Sequence, residues 1–300
     1  MKFDKIKKKI IIGAWSWSGM YKTISQNEVH KVIDLCLSNQ LYEFDTSPSY
    51  KKADKFLSDY KKKNSNILIN SKCGWNLKME RTYKVNEIKD GINKLLDRYD
   101  KLNVLQLHNP RNEIKNWDEI IEMFNDYKKK KLINYSGISL ARNFYFPLKI
   151  LNKFDFIQDE FNLLRIDPIY KMKKFKNILA ARSLFANGIL TNNFSLKTKY
   201  KNSDHRNSWL KGDRLKNIYK QKKLLEKLSK DKISKFATNF ALNFKMFDKY
   251  IFGFRTTRQF YEFYENINSL KKIDFKTIKK IKDLHKKNRF FLSKKNRYNN

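Results

Sequence analysis

The chain has 300 residues and a formal net charge of +36, with 41% hydrophobic and 15% aromatic residues, and that apolar content excludes an intrinsically disordered chain. Lysines are scattered along the whole sequence instead of gathering in one stripe. The charge therefore predicts adhesion to polyanions at low salt and no specific nucleic-acid partner. Cys36 and Cys73 lack metal-ligand spacing, no run approaches the roughly 20 apolar residues of a membrane span, and residues 1–9 lack the apolar region of a signal peptide; together these predict a cytosolic, metal-free protein with no membrane partner.

Taken in chain order, short apolar runs alternate with longer amphipathic segments, the pattern of strand and crossover helix in a parallel α/β fold. A first strand is predicted over Lys9 to Ala14. Ser25 and Glu28 have capping-box spacing ahead of a helix carrying Val29, Ile33 and Leu37. Strands follow at Leu41 to Asp45 and Ile67 to Lys72, and then Ile88, Ile92, Leu95 and Leu96 recur with helical period. Next come a strand at Leu102 to His108, a helix at Asp118 to Lys129 and a strand at Asn134 to Ser139, with Pro147 starting or kinking the helix after it.

Strands at Phe156 to Glu160 and Ile178 to Arg182 lead into residues 191–212, which are polar and aperiodic and read as a long loop of the kind that forms lids. Helices at Leu215 to Leu228 and Ile233 to Asn243, a strand at Tyr250 to Gly253 and a helix at Thr257 to Ile267 complete the series. The short basic clusters Lys61 to Lys63, Lys128 to Lys131 and Lys171 to Lys174 fall at segment ends and read as solvated helix termini. Eight strands in this order predict one (β/α)8 barrel domain over residues 1–300, with a C-terminal helix, long loops at its C-terminal mouth and a frayed basic tail at 294–300.

In such a barrel the C-terminal ends of the strands converge on one mouth, where reacting groups sit. Asp45, Lys72 and His108 close three consecutive strands here, and Tyr50 follows Asp45 by five residues. Taken alone, each reads as a solvated or packed side chain. Together they make an acid–base device: a phenol, an ammonium to lower its pKa, a carboxylate to hold the ammonium and an imidazole to orient a substrate.

These residues resemble the motifs of the aldo-keto reductase family. Asp45-Thr46-Ser47-Pro48-Ser49-Tyr50, Ser71-Lys72 and Leu105-Gln106-Leu107-His108-Asn109-Pro110 are similar to its first three motifs, in order. Gly137-Ile138-Ser139, Gln158-Asp159-Glu160-Phe161-Asn162, Arg182-Ser183-Leu184 with Gly188-Ile189-Leu190, and Gly253-Phe254-Arg255-Thr256-Thr257-Arg258-Gln259 continue the resemblance along nearly the whole chain.

The resemblance implies a cytoplasmic TIM-barrel oxidoreductase that uses NADPH, with NADH left open, to reduce a small aldehyde or ketone. Tyr50 would be the general acid, assisted by Asp45, Lys72 and His108. Ser139, Gln158 and Asn162 would hold the nicotinamide, with Arg182, Ser183 and Leu184 beside it. Gly253, Arg255, Arg258 and Gln259 would hold the adenosine phosphate, the two arginines gripping a 2′-phosphate.

Trp15, Trp17, Tyr21 and Trp75 either wall an apolar substrate pocket or pack the barrel rim. The sequence departs from the family at Lys51, where many relatives have Gly, at Leu140 in place of Asn, and at Arg182 in place of a stacking aromatic. The alternatives are a cofactor-binding regulatory or structural barrel with little turnover, and a polyanion-binding protein that shares the fold.

Overall fold

The computed structural model describes residues 2–21, 23–111, 113–140, 147–168 and 177–288. Eight parallel strands close into a barrel in sequence order: β1 Ile10–Gly13, β2 Glu43–Asp45, β3 Leu68–Cys73, β4 Leu102–His108, β5 Ile133–Ser139, β6 Phe156–Glu160, β7 Ile178–Arg182 and β8 Lys249–Phe252. β8 returns to β1 with Ile10 opposite Tyr250 and Ile12 opposite Phe252. This is the predicted (β/α)8 barrel.

The helices follow from the apolar stripes between the strands. They are α1 Lys2–Ile6, α2 Gln26–Ser38, α3 Lys52–Lys63, α4 Val85–Tyr99, α5 Trp117–Lys129, α6 Leu148–Leu151, α7 Gly212–Glu226, α8 Ile233–Asn243, α9 Thr257–Asn268 and α10 Phe275–Asn288. In α4 the buried Ile88, Ile92 and Leu95 recur every three to four residues and face the strands. α6 starts directly after Pro147, as a residue with fixed φ and no N–H allows at a helix start. The tail at 294–300 and the cluster at 171–174 lie outside the described residues.

Two apolar layers result. Ile11, Val104, Phe156, Ala180 and Ile251 fill the barrel interior, and a larger cluster fills the space between barrel and helices. The floor is polar: the Glu43 carboxylate accepts from Asn70 Nδ2 at 2.8 Å and from Lys249 Nζ at 2.6 Å. Above it the register sets Gly13 opposite Asp45, Lys72 opposite Gln106, His108 opposite Ser139, and Ser139 opposite Gln158. Their side chains therefore meet at one mouth. Gly137 makes room among them, since a Cβ there would lie 2.8 Å from Gln106 Cγ.

Two local details differ from the sequence reading. Ser25 caps α2 by accepting from Glu28 N–H, but the Glu28 carboxylate does not return to the cap; it accepts from Thr257 N–H at 2.7 Å and so ties α2 to the start of α9. α1, too short to show periodicity, packs the buried Phe3 against Phe263 and Tyr264.

Candidate active site

Asp45 is the hub of the mouth. Lys72 Nζ donates to Asp45 Oδ2 at 2.7 Å and to Thr46 O at 2.8 Å, while Gln158 Nε2 and Gln106 Nε2 donate to Asp45 Oδ1 at 2.9 and 3.2 Å. Both charges are buried, Lys72 at 1% and Asp45 at 5% exposure. A buried ion pair is tolerated only when its remaining valences are met, and here three donors satisfy one carboxylate.

Tyr50 ends a single helical turn, Pro48–Tyr50, whose Ser47 hydroxyl accepts from Ser49 N–H. Lys72 Nζ lies 5.1 Å from the centre of its ring, and Trp15 meets the ring edge-on at 5.0 Å. Burial pushes the phenol above its ordinary pKa, and the charges of Lys72 and Arg182 pull it back while Asp45 opposes them. Lys72 thus lowers the phenol as expected, but desolvation outweighs the ammonium, and the net shift is upward. The following residue, Lys51, adopts φ 48° and ψ −105°. That conformation suits glycine, the residue many relatives carry here.

His108 ends β4 with its ring centre 6.3 Å from that of Tyr50. Its Nδ1 lies 3.3 Å from Trp75 Nε1 and 3.5 Å from Ser47 Oγ. Burial, then the charges of Lys72, Arg81 and Arg182, hold the imidazole well below the usual histidine range, so it is neutral at pH 7.

A cavity of about 2250 Å³ opens from Tyr50 and His108 and runs outward to α9. It exceeds the roughly 300–1,000 Å³ of a usual small-molecule pocket, which leaves room for an extended ligand beside a small one. Trp15, Tyr21 and Trp75 line it. Trp17 does not: it is buried beneath, its ring N–H donating to Phe254 O at 2.7 Å, so its expected place in the pocket is corrected to one in the core.

Ser139 and Gln158 also line the cavity, with Ser139 Oγ donating to Gln158 Oε1 at 2.9 Å. Arg182, Ser183 and Leu184 stand beside them. The Arg182 guanidinium donates to Leu140 O at 2.7 Å and to Ser183 Oγ at 3.3 Å. The departures at 140 and 182 are therefore physically joined. Asn162 lies off the cavity wall, its side chain donating to Ser183 O and accepting from Leu164 N–H, so its expected place against the nicotinamide is corrected to one that holds the Ser183 backbone.

At the outer end the cavity is lined by Gly253, Arg255, Arg258 and Gln259. Thr256 caps α9 by accepting from Gln259 N–H, and Gln259 Oε1 accepts from Arg255 N–H at 2.7 Å. Arg255 is held below the usual guanidinium range by burial and by the nearby charge of Arg206.

Sequence reasoning missed two side chains and the contacts of one predicted loop. Gln106 sits inside a strand that reads as apolar, and only its register against Lys72 reveals a role. Arg81 stacks on the Trp75 ring at 4.4 Å. The 191–212 loop is pinned to the loop after β1: His205 N–H donates to Met20 O at 2.9 Å, and Arg206, paired with Asp204 at 2.6 Å, lies over Tyr21 and Tyr200. The aromatic content of both loops was the available signal. Among the described residues no group of His, Cys, Asp and Glu could hold a metal ion, and no helix is long and apolar enough to cross a membrane.

The sequence matches the model of the Aldo/keto reductase family over residues 9–285. No curated protein sequence matches it. Similar solved structures include a glycerol dehydrogenase from Gluconobacter oxydans, with TM-score 0.76 and 15% identity over 96% of this chain and 94% of that one. Another is an aldo-keto reductase from Bacillus halodurans in its holo form, with TM-score 0.72 and 17% identity over 92% of this chain and 91% of that one. At these identities the likeness shows the fold.

Proposed function

The chain belongs to the aldo/keto reductase family, a family of NAD(P)H-dependent oxidoreductases, and we propose that it reduces a small aldehyde or ketone to an alcohol in the cytoplasm, with NADPH as the preferred cofactor and Tyr50 as the proton donor. The observation that carries this reading is the convergence of Tyr50, Lys72, Asp45 and His108 at the closed end of a cavity whose volume of about 2250 Å³ leaves room for a dinucleotide.

The residues fit that group. Ser139 and Gln158 would exchange their mutual hydrogen bond for bonds to the carboxamide, with Arg182 flanking the ring. Arg255 and Arg258 would grip the 2′-phosphate, and the half-buried Arg255, crowded by Arg206, is a cation that a bound anion would relieve. When bound, the reduced nicotinamide supplies a hydride to the carbonyl carbon.

As negative charge develops on the carbonyl oxygen, Tyr50 donates its proton and becomes a tyrosinate beside Lys72. The ammonium stabilises that anion, Asp45 fixes the ammonium, and Gln106 and Gln158 fix Asp45. Solvent then returns the proton to Tyr50. The neutral His108 hydrogen-bonds the substrate oxygen without adding a charge, and Trp15, Tyr21 and Trp75 wall the substrate's carbon skeleton.

The test is NADPH oxidation against a panel of small aldehydes, ketones and sugar carbonyls, with Tyr50→Phe beside the wild type. Turnover is expected to fall by about 10²–10⁴ in the variant while NADPH still binds. Tight NADPH binding with no turnover in the wild type would favour the regulatory reading, and no NADPH binding would overturn both.

A further inference from the structure

Trp75 sits on the loop between β3 and α4, and several independent contacts hold its position. Thr82 N–H donates to Gly74 O at 3.1 Å, and Trp75 and Arg81 face each other across an antiparallel bridge. The Trp75 carbonyl rests against α4 where that helix has Gly91, and a Cβ at 91 would lie 2.7 Å from this oxygen. Over the indole lies the Arg81 guanidinium, 4.4 Å from the ring, and it also donates to the backbone carbonyls of His108 and Asn109. One side chain thus ties the indole to the end of β4. The indole N–H is aimed at His108 Nδ1, 3.3 Å away.

An indole nitrogen only donates, so the Nδ1 that faces it must offer a lone pair. A neutral imidazole carries one proton, which then resides on Nε2, the nitrogen able to donate to a carbonyl oxygen. The other neighbour of Nδ1, the Ser47 hydroxyl at 3.5 Å, both donates and accepts and so imposes neither tautomer.

We propose that Trp75 is a positioning residue for carbonyl reduction: its indole N–H, held by Arg81 and the packed loop, locks His108 in the Nε2–H tautomer that donates to the substrate oxygen. The inference rests on the reductase reading for its consequence but not for its geometry, so the two fail separately. Loss of the indole N–H lets the Nδ1–H form compete, and in that form Nε2 presents a lone pair that repels the carbonyl oxygen.

The experiment is ¹⁵N NMR of the full chain labelled at histidine, with His108 assigned by its loss in His108→Asn, for wild type, Trp75→Phe and Ser47→Ala. In the wild type at neutral pH, Nδ1 is expected at the unprotonated position and Nε2 at the protonated one. Trp75→Phe, which keeps a ring under Arg81, is expected to draw the two resonances together, and Ser47→Ala to leave them apart. A wild-type Nδ1–H form, an unchanged tautomer in Trp75→Phe, or an equal change in Ser47→Ala would overturn the inference.

In the same variants kcat for carbonyl reduction is expected to fall about tenfold in Trp75→Phe, the worth of one hydrogen bond, with the NADPH Kd unchanged. A fall in NADPH affinity that accounts for the whole loss would overturn the positioning role. If no carbonyl is reduced by the wild type while the tautomer responds as described, the lock stands and the reductase reading falls.

Discussion

At the closed end of the cavity Lys72 and Asp45 are 1% and 5% exposed, and each is held by strand neighbours or backbone. At the outer end Arg258 and Gln259 are exposed, and the 191–212 loop reaches the mouth through contacts between loops. The closed end gains precision from the register of paired strands, which fixes which side chains face one another. The outer end offers electrostatic attraction from the exposed Arg258 and the half-buried Arg255, which tolerates imprecision. Under the proposed function this separates chemistry from cofactor choice, and substitutions at the two ends should fail in different ways.

The largest effect is expected from Lys72→Met. It leaves Asp45 buried with its amide donors but no counter-charge, a loss of about 3–5 kcal/mol, measured by urea unfolding. Adding Asp45→Asn should restore most of that stability but none of the reductase activity. A double variant that recovers activity would mean the closed end serves packing alone.

Protonation probes the same contrast. Burial holds His285, on α10 with Nε2 2.8 Å from Leu163 O, at a pKa of about 4, and His108 is also held well below 6.5. Because both are lowered in the folded state, the unfolded chain binds protons below pH 6.5 that the native state refuses. Stability is therefore full above pH 6.5 and falls as the pH drops, His285 contributing about 3 kcal/mol by pH 4. His285→Gln should flatten much of that slope in unfolding measured from pH 7 to pH 4. The reductase site should be untouched at pH 7, so equal activity loss would contradict the separation.

At the outer end, Arg255→Ala and Arg258→Ala should each weaken NADPH binding about tenfold, the worth of a charge-assisted contact, and leave NADH binding and unfolding unchanged. Titration calorimetry with the two cofactors checks this. Equal losses for both would move the arginines from the 2′-phosphate to the shared part of the cofactor.

The sequence revealed most where structure is local. β4, β6 and β7 begin and end at the predicted residues, as does α8, because their apolar runs stop abruptly at polar neighbours. Asp45, Lys72 and His108 stood out for the same reason, since each stands at or, for Lys72, one residue before the end of its strand. Trp17 and Asn162 were misplaced because a loop side chain points where tertiary packing sends it. Gln106 and Arg81 were silent because their roles exist only between strands or between loops. β1 and β2 are shorter than read: at β2 the apolar run begins at Leu41, before the ladder starts at Glu43, and Leu41 is buried for packing and not for pairing.

Lys51 joins the two kinds of information, for the sequence marks it as unusual and the structure gives the reason. Its φ of 48° and ψ of −105° strain an L side chain by about 1–3 kcal/mol, at the hinge between the turn that presents Tyr50 and α3. Lys51→Gly removes that strain but adds about 0.5–1 kcal/mol of unfolded-state entropy. The expected net is a small gain in stability, a rise of a few degrees in Tm by calorimetry. Activity measures what the strain does. If kcat holds, the Tyr50 turn is fixed by Ser47 and the packed rings of Trp15 and His108 alone; if kcat falls while Tm rises, the strained hinge itself aims the phenol.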